Sequence, residues 1–355
     1  MASDRFRILS VDGGGIRGLI PALVLKELER RLAAASGESR PLADYFHLFS
    51  GTSTGGLIAL GLTATEADGA PRMDAAKLVS LYRDEGPRIF RFGSQRIRSV
   101  GGWLGPKHSP RVLREVLREQ LGEGRLSESA REVVVTAYDM TRREPHFFKR
   151  WRARESEERN PTLVDAGLAT AAAPTYFPSH AVRGNALVDG GVFAANPSVA
   201  AITEALKRST DEPAGLRPHE LLVVSLGTGV HETGFPQARV RRWGKIGWIR
   251  PRDGEPPLIS AMLDGSSDAA DHWSHMLLNH QPGSPPPGSV GIGHGPHYFR
   301  LQTRLPRSRE LDDASSVSLA DLTRAAEALI AEHDGKLDEI TRRLVAAGPV
   351  DHVEV

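Results

Sequence analysis

Apolar positions along this chain fall into two rhythms. Short, nearly unbroken apolar runs read as strands buried on both faces: Phe6–Val11, Tyr45–Phe49, Glu132–Tyr138, Leu221–Leu226 and Tyr298–Gln302, with a shorter run over Pro145–Phe148. Between them, apolar residues recur at helical spacing. Leu19–Leu32 is the first such stretch, with Glu27, Glu29, Arg30 and Arg31 on its outer face. Met73–Tyr82, Arg111–Leu121, Leu163–Ala173, Ser198–Lys207, Leu258–Leu278 and Leu319–Val345 follow, the last with a break near Gly335. Pro174 stops one helix and Asn196-Pro197 opens another. Ala64–Arg72 is a polar loop, Arg150–Asn160 a charged excursion and Gln281–Pro296 a Pro/Gly/Ser-rich exposed loop. Strands and helices alternate through the first two-thirds. That order predicts an α/β fold, with a mostly parallel central sheet and helices on both faces. No internal repeat appears, and no linker severs a C-terminal domain. The chain therefore reads as a single domain over 1–355, with a core over about residues 6–205 and an extension of the same domain over 206–355.

Composition narrows the function classes. Hydrophobic residues make up 40% and charged residues 25% of 355, as in a soluble globular chain. Lys+Arg 45 against Asp+Glu 44 leaves a net charge of +1, which argues against a nucleic-acid polymer as partner. The chain has no cysteine, so it has no disulfide, no thiolate metal site and no Cys nucleophile. Met1–Arg5 runs directly into strand-like sequence without an apolar leader, and no apolar stretch is long enough to span a bilayer; the expectation is a cytoplasmic protein whose membrane contact is peripheral. Two stretches mix cations with aromatics. One holds Arg88, Phe90, Arg91, Phe92, Arg96, Ile97, Arg98, Trp103 and Lys107; the other holds Arg239, Arg241, Arg242, Trp243, Lys245, Trp248, Arg250 and Arg252. The first reads as a solvated loop or as a basic flap suited to anionic lipid or a phosphorylated ligand.

The candidate chemistry sits in three glycine-flanked turns. Gly51-Thr52-Ser53-Thr54-Gly55 lies between a strand and a helix, the setting in which G-x-S-x-G becomes a nucleophile elbow with its serine exposed at the tip. Asp12-Gly13-Gly14-Gly15-Ile16-Arg17-Gly18 also joins a strand to a helix. Gly13, Gly15 and Gly18 match G-x-G-x-x-G, but no acidic residue at the end of a second strand follows about 20 positions on, as dinucleotide binding requires. The competing reading is an anion cradle of backbone N–H groups. Arg17, just past the cradle, reads as a structural residue paired with a surface carboxylate. Asp189-Gly190-Gly191 is either an ordinary turn or a base presented at a strand end. His272 and His275, three apart and near Asp268 and Asp271, hint at a metal pair that nothing else in the chain completes.

Taken together, Asp12–Gly18, Gly51–Gly55, Ala169–Pro178 and Asp189–Gly191 resemble the patatin-like phospholipases. Ser225–Gly229 and Trp243–Trp248 are similar to that family too, and the resemblance runs from about Phe6 to Leu344. It implies a three-layer α/β/α patatin-like fold with a nucleophile elbow. It also implies a lipid acyl hydrolase of phospholipase A type that needs no cofactor or metal. Ser53 would be the nucleophile and Asp189 its base in a Ser–Asp dyad. Gly14 and Gly15 would form the oxyanion hole, with Gly13 shaping that loop as part of it. The expected substrate is a phospholipid, cleaved through an acyl-serine at the inner membrane surface. Some bacterial members of the family are anti-phage effectors switched on by a cyclic dinucleotide, which makes such a ligand an expected activator; a homo-oligomer stays open. One departure is visible. The family usually has two asparagines before the proline that follows the aspartate motif, and Ala195 replaces the first, which puts a local capping contact in question. The rival readings are a Ser–His–Asp esterase, for which His219, His231, His272 and His275 are formally available, and a nucleotide-binding protein using Gly13–Gly18 as a phosphate loop.

Overall fold

The apolar runs become neighbouring strands of one sheet. A computed structural model describes residues 4–91, 105–208, 215–231, 234–250, 256–279, 297–305 and 310–350. The strands are β1 (Phe6–Val11), β2 (Leu48–Thr52), β3 (Glu132–Asp139), β4 (Glu144–Lys149), β5 (His180–Val182), β6 (Asn185–Asp189), β7 (Leu221–Leu226) and β8 (Tyr298–Leu301). They form one eight-stranded sheet. β3, β2, β1, β7 and β8 run parallel in that order, and β4, β5 and β6 are antiparallel.

Alternation along these strands sends side chains to two cores. Leu9, Val11, Phe49, Val133, Val135, Leu222 and Val224 face one side, where α1 (Leu19–Ser36), α2 (Thr54–Thr63), α3 (Pro110–Leu121) and α4 (Leu163–Thr170) contribute. Ile8, Leu48, Val134, Leu221 and Val223 face the other, against Ala201, Ile202 and Ala205 of α5 (Ser198–Arg208). With both faces covered, the strands need few polar positions, which explains their mostly apolar character. Two later helices, α6 (Lys245–Ile249) and α7 (Pro257–Leu278), pack on each other, and α8 (Ser316–Glu332) and α9 (Asp334–Ala347) pack on α1.

Several boundaries differ from the periodicity. The strand expected over Tyr45–Phe49 begins at Leu48 and runs through Thr52, because Leu48–Gly51 must pair with Ile8–Val11; Tyr45 and Phe46 are buried ahead of it. The break expected near Gly335 in the last helix falls at His333. β5, three residues long, carries no alternation that predicts it. The middle of the first basic stretch, residues 92–104, lies outside the described residues, as do Arg252 and the whole of the loop expected over Gln281–Pro296.

Candidate active site

Strand β3 acts as the ruler of the site. Thr136 pairs with Thr52 and with Phe147, while Ala137 pairs with Asp189 and with His146. A strand residue has only two edges. β4 occupies one edge of β3, so β2 and β6 share the other, one ending where the other ends. Ser53 follows Thr52 and Asp189 closes β6, so the two meet head to head across residues 136–137 of β3. Neither strand's own sequence contains this information.

The turn at Ser53 is strained. Its φ of 54° and ψ of −123° put a non-glycine residue in a sparsely populated region, which costs on the order of 1–3 kcal/mol and persists only where surroundings enforce it. The enforcement is visible. The Ser53 N–H donates to Thr170 Oγ1 at 2.8 Å, and Thr52 Oγ1 donates to the Ala194 carbonyl at 2.6 Å and lies 2.7 Å from Thr136 Oγ1. Gly55 must be glycine, because a Cβ there would lie 2.0 Å from the Val11 carbonyl oxygen. The helix α2 that follows is buried along its whole length, and its N-terminus stands directly behind Ser53.

Asp189 is buried, and its Oδ1 accepts the Gly191 N–H at 2.7 Å. Burial pushes its carboxyl up to about 6; hydrogen bonding with the Ser53 side chain and with the Gly191 N–H pulls the other way and only partly offsets it. The result is a carboxylate that is ionised at neutral pH yet basic enough to share a hydroxyl proton.

The Asp12–Gly18 loop lies alongside. Its carbonyls and amides are largely committed: Asp12 N–H to Leu226, Gly13 N–H to Ala195 and Ile16 N–H to Leu311, at 2.9–3.0 Å, while Thr228 Oγ1 donates to the Gly13 carbonyl at 2.7 Å. Gly13 thus shapes the loop and has no N–H to spare for an oxyanion. The N–H groups of Gly14 and Gly15 have no acceptor among the described residues. Gly15 has a φ of +56°, and a Cβ there would lie 2.3 Å from the Leu311 carbonyl oxygen, so only glycine presents this amide. Arg17 donates to the carbonyls of Gly14 and Gly229, which are backbone oxygens and not the surface carboxylate expected for it. Ala195, where the family usually has asparagine, holds the loop through its carbonyl, a contact any residue supplies; Asn196 Oδ1 accepts the Ser198 N–H at the start of α5.

Gly13, Gly14, Gly15, Ser53 and Asp189 all line one cavity, whose remaining wall is mostly apolar, with Leu57, Phe90, Leu113, Leu117 and Leu263 among its residues. Among the described residues no histidine lines it. His231 sits against Arg17 instead, where burial and that neighbouring charge lower its pKa to about 4. Among the described residues no three His, Asp or Glu side chains gather as a metal site.

Two residues that the patterns did not reveal complete the frame. Thr170 looked like part of a small-residue helix. Arg300 was one letter of a strand, and a cation inside an otherwise apolar buried run was its only signal. Its guanidinium grips Asp12 with Nη1 at 2.9 Å from Oδ1 and Nη2 at 2.6 Å from Oδ2, and Ser267 Oγ adds a third contact to Asp12 at 3.2 Å.

The family model for patatin-like phospholipase matches residues 9–202. Patatin-like protein 2 of Arabidopsis thaliana is 38% identical over 290 residues, covering 74% of this chain and 70% of that protein. Patatin-like protein 1 of Oryza sativa subsp. indica is 33% identical, covering 96% and 85%, and Patatin-08 of Solanum tuberosum is 30% identical, covering 91% and 83%. The crystal structure of VipD from Legionella pneumophila is similar at a TM-score of 0.43 and 12% identity, over 97% of this chain and 67% of that one, too distant to argue from. With its three-layer fold and with relatives of this similarity across most of its length, the chain belongs to the patatin-like phospholipase family, whose general chemistry is lipid acyl hydrolysis.

Proposed function

We propose that this chain cleaves acyl esters of phospholipids through a Ser53–Asp189 dyad. The observation that carries the reading is a carboxyl raised to about 6, hydrogen-bonded with a hydroxyl on a strained elbow, in an apolar cavity. Serine is a weak nucleophile unless a base takes its proton. As Ser53 Oγ attacks the acyl carbonyl carbon, its proton passes to Asp189, and the carbonyl oxygen takes up negative charge. The free amides of Gly14 and Gly15 and the N-terminus of α2 are disposed to stabilise that charge; one such donor is worth about 3–4 kcal/mol of barrier. Collapse returns the proton to the departing alcohol and leaves an acyl-Ser53 ester. Water, deprotonated by Asp189, then releases the fatty acid. The apolar wall suits the acyl chain and leaves the polar headgroup outside.

Intact-mass spectrometry after a fluorophosphonate tests the attacking atom. One adduct is expected on the wild type and none on Ser53→Ala; an adduct on that variant refutes the covalent role. Cyclic-dinucleotide activation is a second reading, supported by the exposed Arg239, Arg241 and Arg242 beside aromatic rings. Turnover that stays unchanged across a panel of such ligands refutes it.

A further inference from the structure

Two described cations of the first cation-rich stretch are paired, whereas the described cations of the second are not. Arg88 pairs with Glu85 and Glu119, and Lys107 is buried against Glu310. By contrast, Arg239, Arg241, Arg242, Lys245 and Arg250 are all exposed, residues 234–250 contain no acidic residue, and none of the five has an ion-pair partner among the described residues. Interleaved with them, Ile246 is 67% exposed, Ile249 44% and Trp248 37%. The one-turn helix α6 carries these three and packs on α7, where Leu258 and Met262 are also exposed. Phe235, Trp243 and Trp248 contact one another edge to face, with ring centroids 4.9 and 5.2 Å apart, which fixes the segment and leaves cations and aliphatic tips as its outward chemistry.

We propose that this face, residues 235–250 with Leu258 and Met262, docks the chain on an anionic lipid bilayer. The inference rests on the lipid acyl hydrolase reading and adds where the lipid surface sits. Two arguments select a bilayer over a soluble partner. Uncompensated cations around exposed aliphatic and Trp side chains are the composition that enters the headgroup boundary. The patch is also continuous with the active-site cavity, because Met262 belongs to both the exposed face and the cavity wall, beside Ile259 and Leu263. An acyl chain leaving the bilayer there reaches Ser53 without crossing water.

The test is sedimentation with vesicles of phosphatidylcholine containing phosphatidylglycerol, using Ser53→Ala as background so that the lipid survives. Each cation near an anionic surface contributes about fivefold in partitioning, so Arg241→Ser/Arg242→Ser is expected to lower binding about 25-fold, and Trp248→Ala/Ile249→Ser to lower it as well. Added salt should weaken wild-type binding. Leu277→Ser, on an exposed residue near the far end of α7, is the control and should change nothing. In an otherwise wild-type chain, Lys245→Ser/Arg250→Ser should likewise weaken vesicle binding yet retain hydrolysis of a soluble short-chain ester. Binding that is equal on neutral vesicles, or unaffected by either pair of substitutions, overturns the docking surface. So does loss of cyclic-dinucleotide binding with vesicle binding intact. Failure of the wild type to cleave the soluble ester would instead overturn the hydrolase reading, and vesicle binding would report on docking separately.

Discussion

Asp12 and Asp189 occupy sites that look alike on paper. Each stands at the end of a buried strand, each is followed by two glycines, and each is almost wholly removed from solvent. The fold treats them in opposite ways. Asp12 is held by Arg300 and Ser267, so its charge is matched and its hydrogen-bonding capacity is taken. Burial raises the Asp12 carboxyl as well, against the pull of Arg300 and Ser267, and the Asp12 carboxylate in turn holds the Arg300 guanidinium above its usual range. Asp189 has no cation against it, only an amide and a hydroxyl, and its carboxyl rises to about 6. Burial therefore does not make a base. Burial without a counter-charge, next to a group that has a proton to give, is what suits Asp189 to the base role proposed for it.

The largest effect expected from this contrast is on rate. Asp189→Asn should lower kcat/KM for a soluble ester by about 10⁴-fold, as loss of a base partner does in serine hydrolases. Asp12→Asn, normalised to folded protein, should cost no more than about tenfold, because Asp12 acts only through the loop it anchors. Equal losses would erase the distinction between base and anchor.

Stability should rank the other way. Arg300→Leu leaves Asp12 charged and buried without a partner, so urea unfolding should show a loss of about 3–5 kcal/mol. Restoring neutrality with Asp12→Asn in the same chain should recover most of it. A loss under about 1 kcal/mol would mean that water already reaches the pair.

At the other carboxylate the sign reverses. The folded-state pKa of about 6 lies above the ordinary 3.8, so folded protein holds the Asp189 proton more tightly than unfolded protein does. The stability this confers is present below pH 4 and is lost as pH rises through 6. Asp189→Asn should then stabilise the chain by up to about 3 kcal/mol at pH 8 and by almost nothing at pH 4. A destabilised variant at pH 8 would contradict the desolvated carboxyl.

The smallest effect is a pH profile. With Asp189 required in its ionised form, kcat/KM should be flat from pH 7 to 9 and fall about tenfold by pH 5, along a single ionisation. A midpoint near 4 would place the carboxyl in water.

Much of the site was legible in the chain, and particular residues show why. Ser53 announces itself because the elbow is a local device: glycines two positions either side, a strand before and a helix after, all within a dozen residues. The strands announce themselves because burial on both faces leaves few polar positions in them. The pairing of Asp12 with Arg300 had no such signal, since 288 positions separate the partners and nothing periodic links them. The same holds for the basic stretches, since only the folded chain brings Glu85 and Glu119 beside Arg88 and Glu310 beside Lys107.

By itself the sequence determined the secondary elements, the α/β alternation and the two short motifs that hold the candidate dyad, because strand and helix periodicity and turn geometry are set by neighbours along the chain. Only the tertiary structure decided that Ser53 and Asp189 meet, since that depends on β2 and β6 sharing one edge of β3. It also decided which of two identical Asp-Gly-Gly turns lacks a counter-charge and which cations face solvent. Those are facts about residues distant in the chain, and side-chain charge and hydrogen bonding act through space rather than along the backbone.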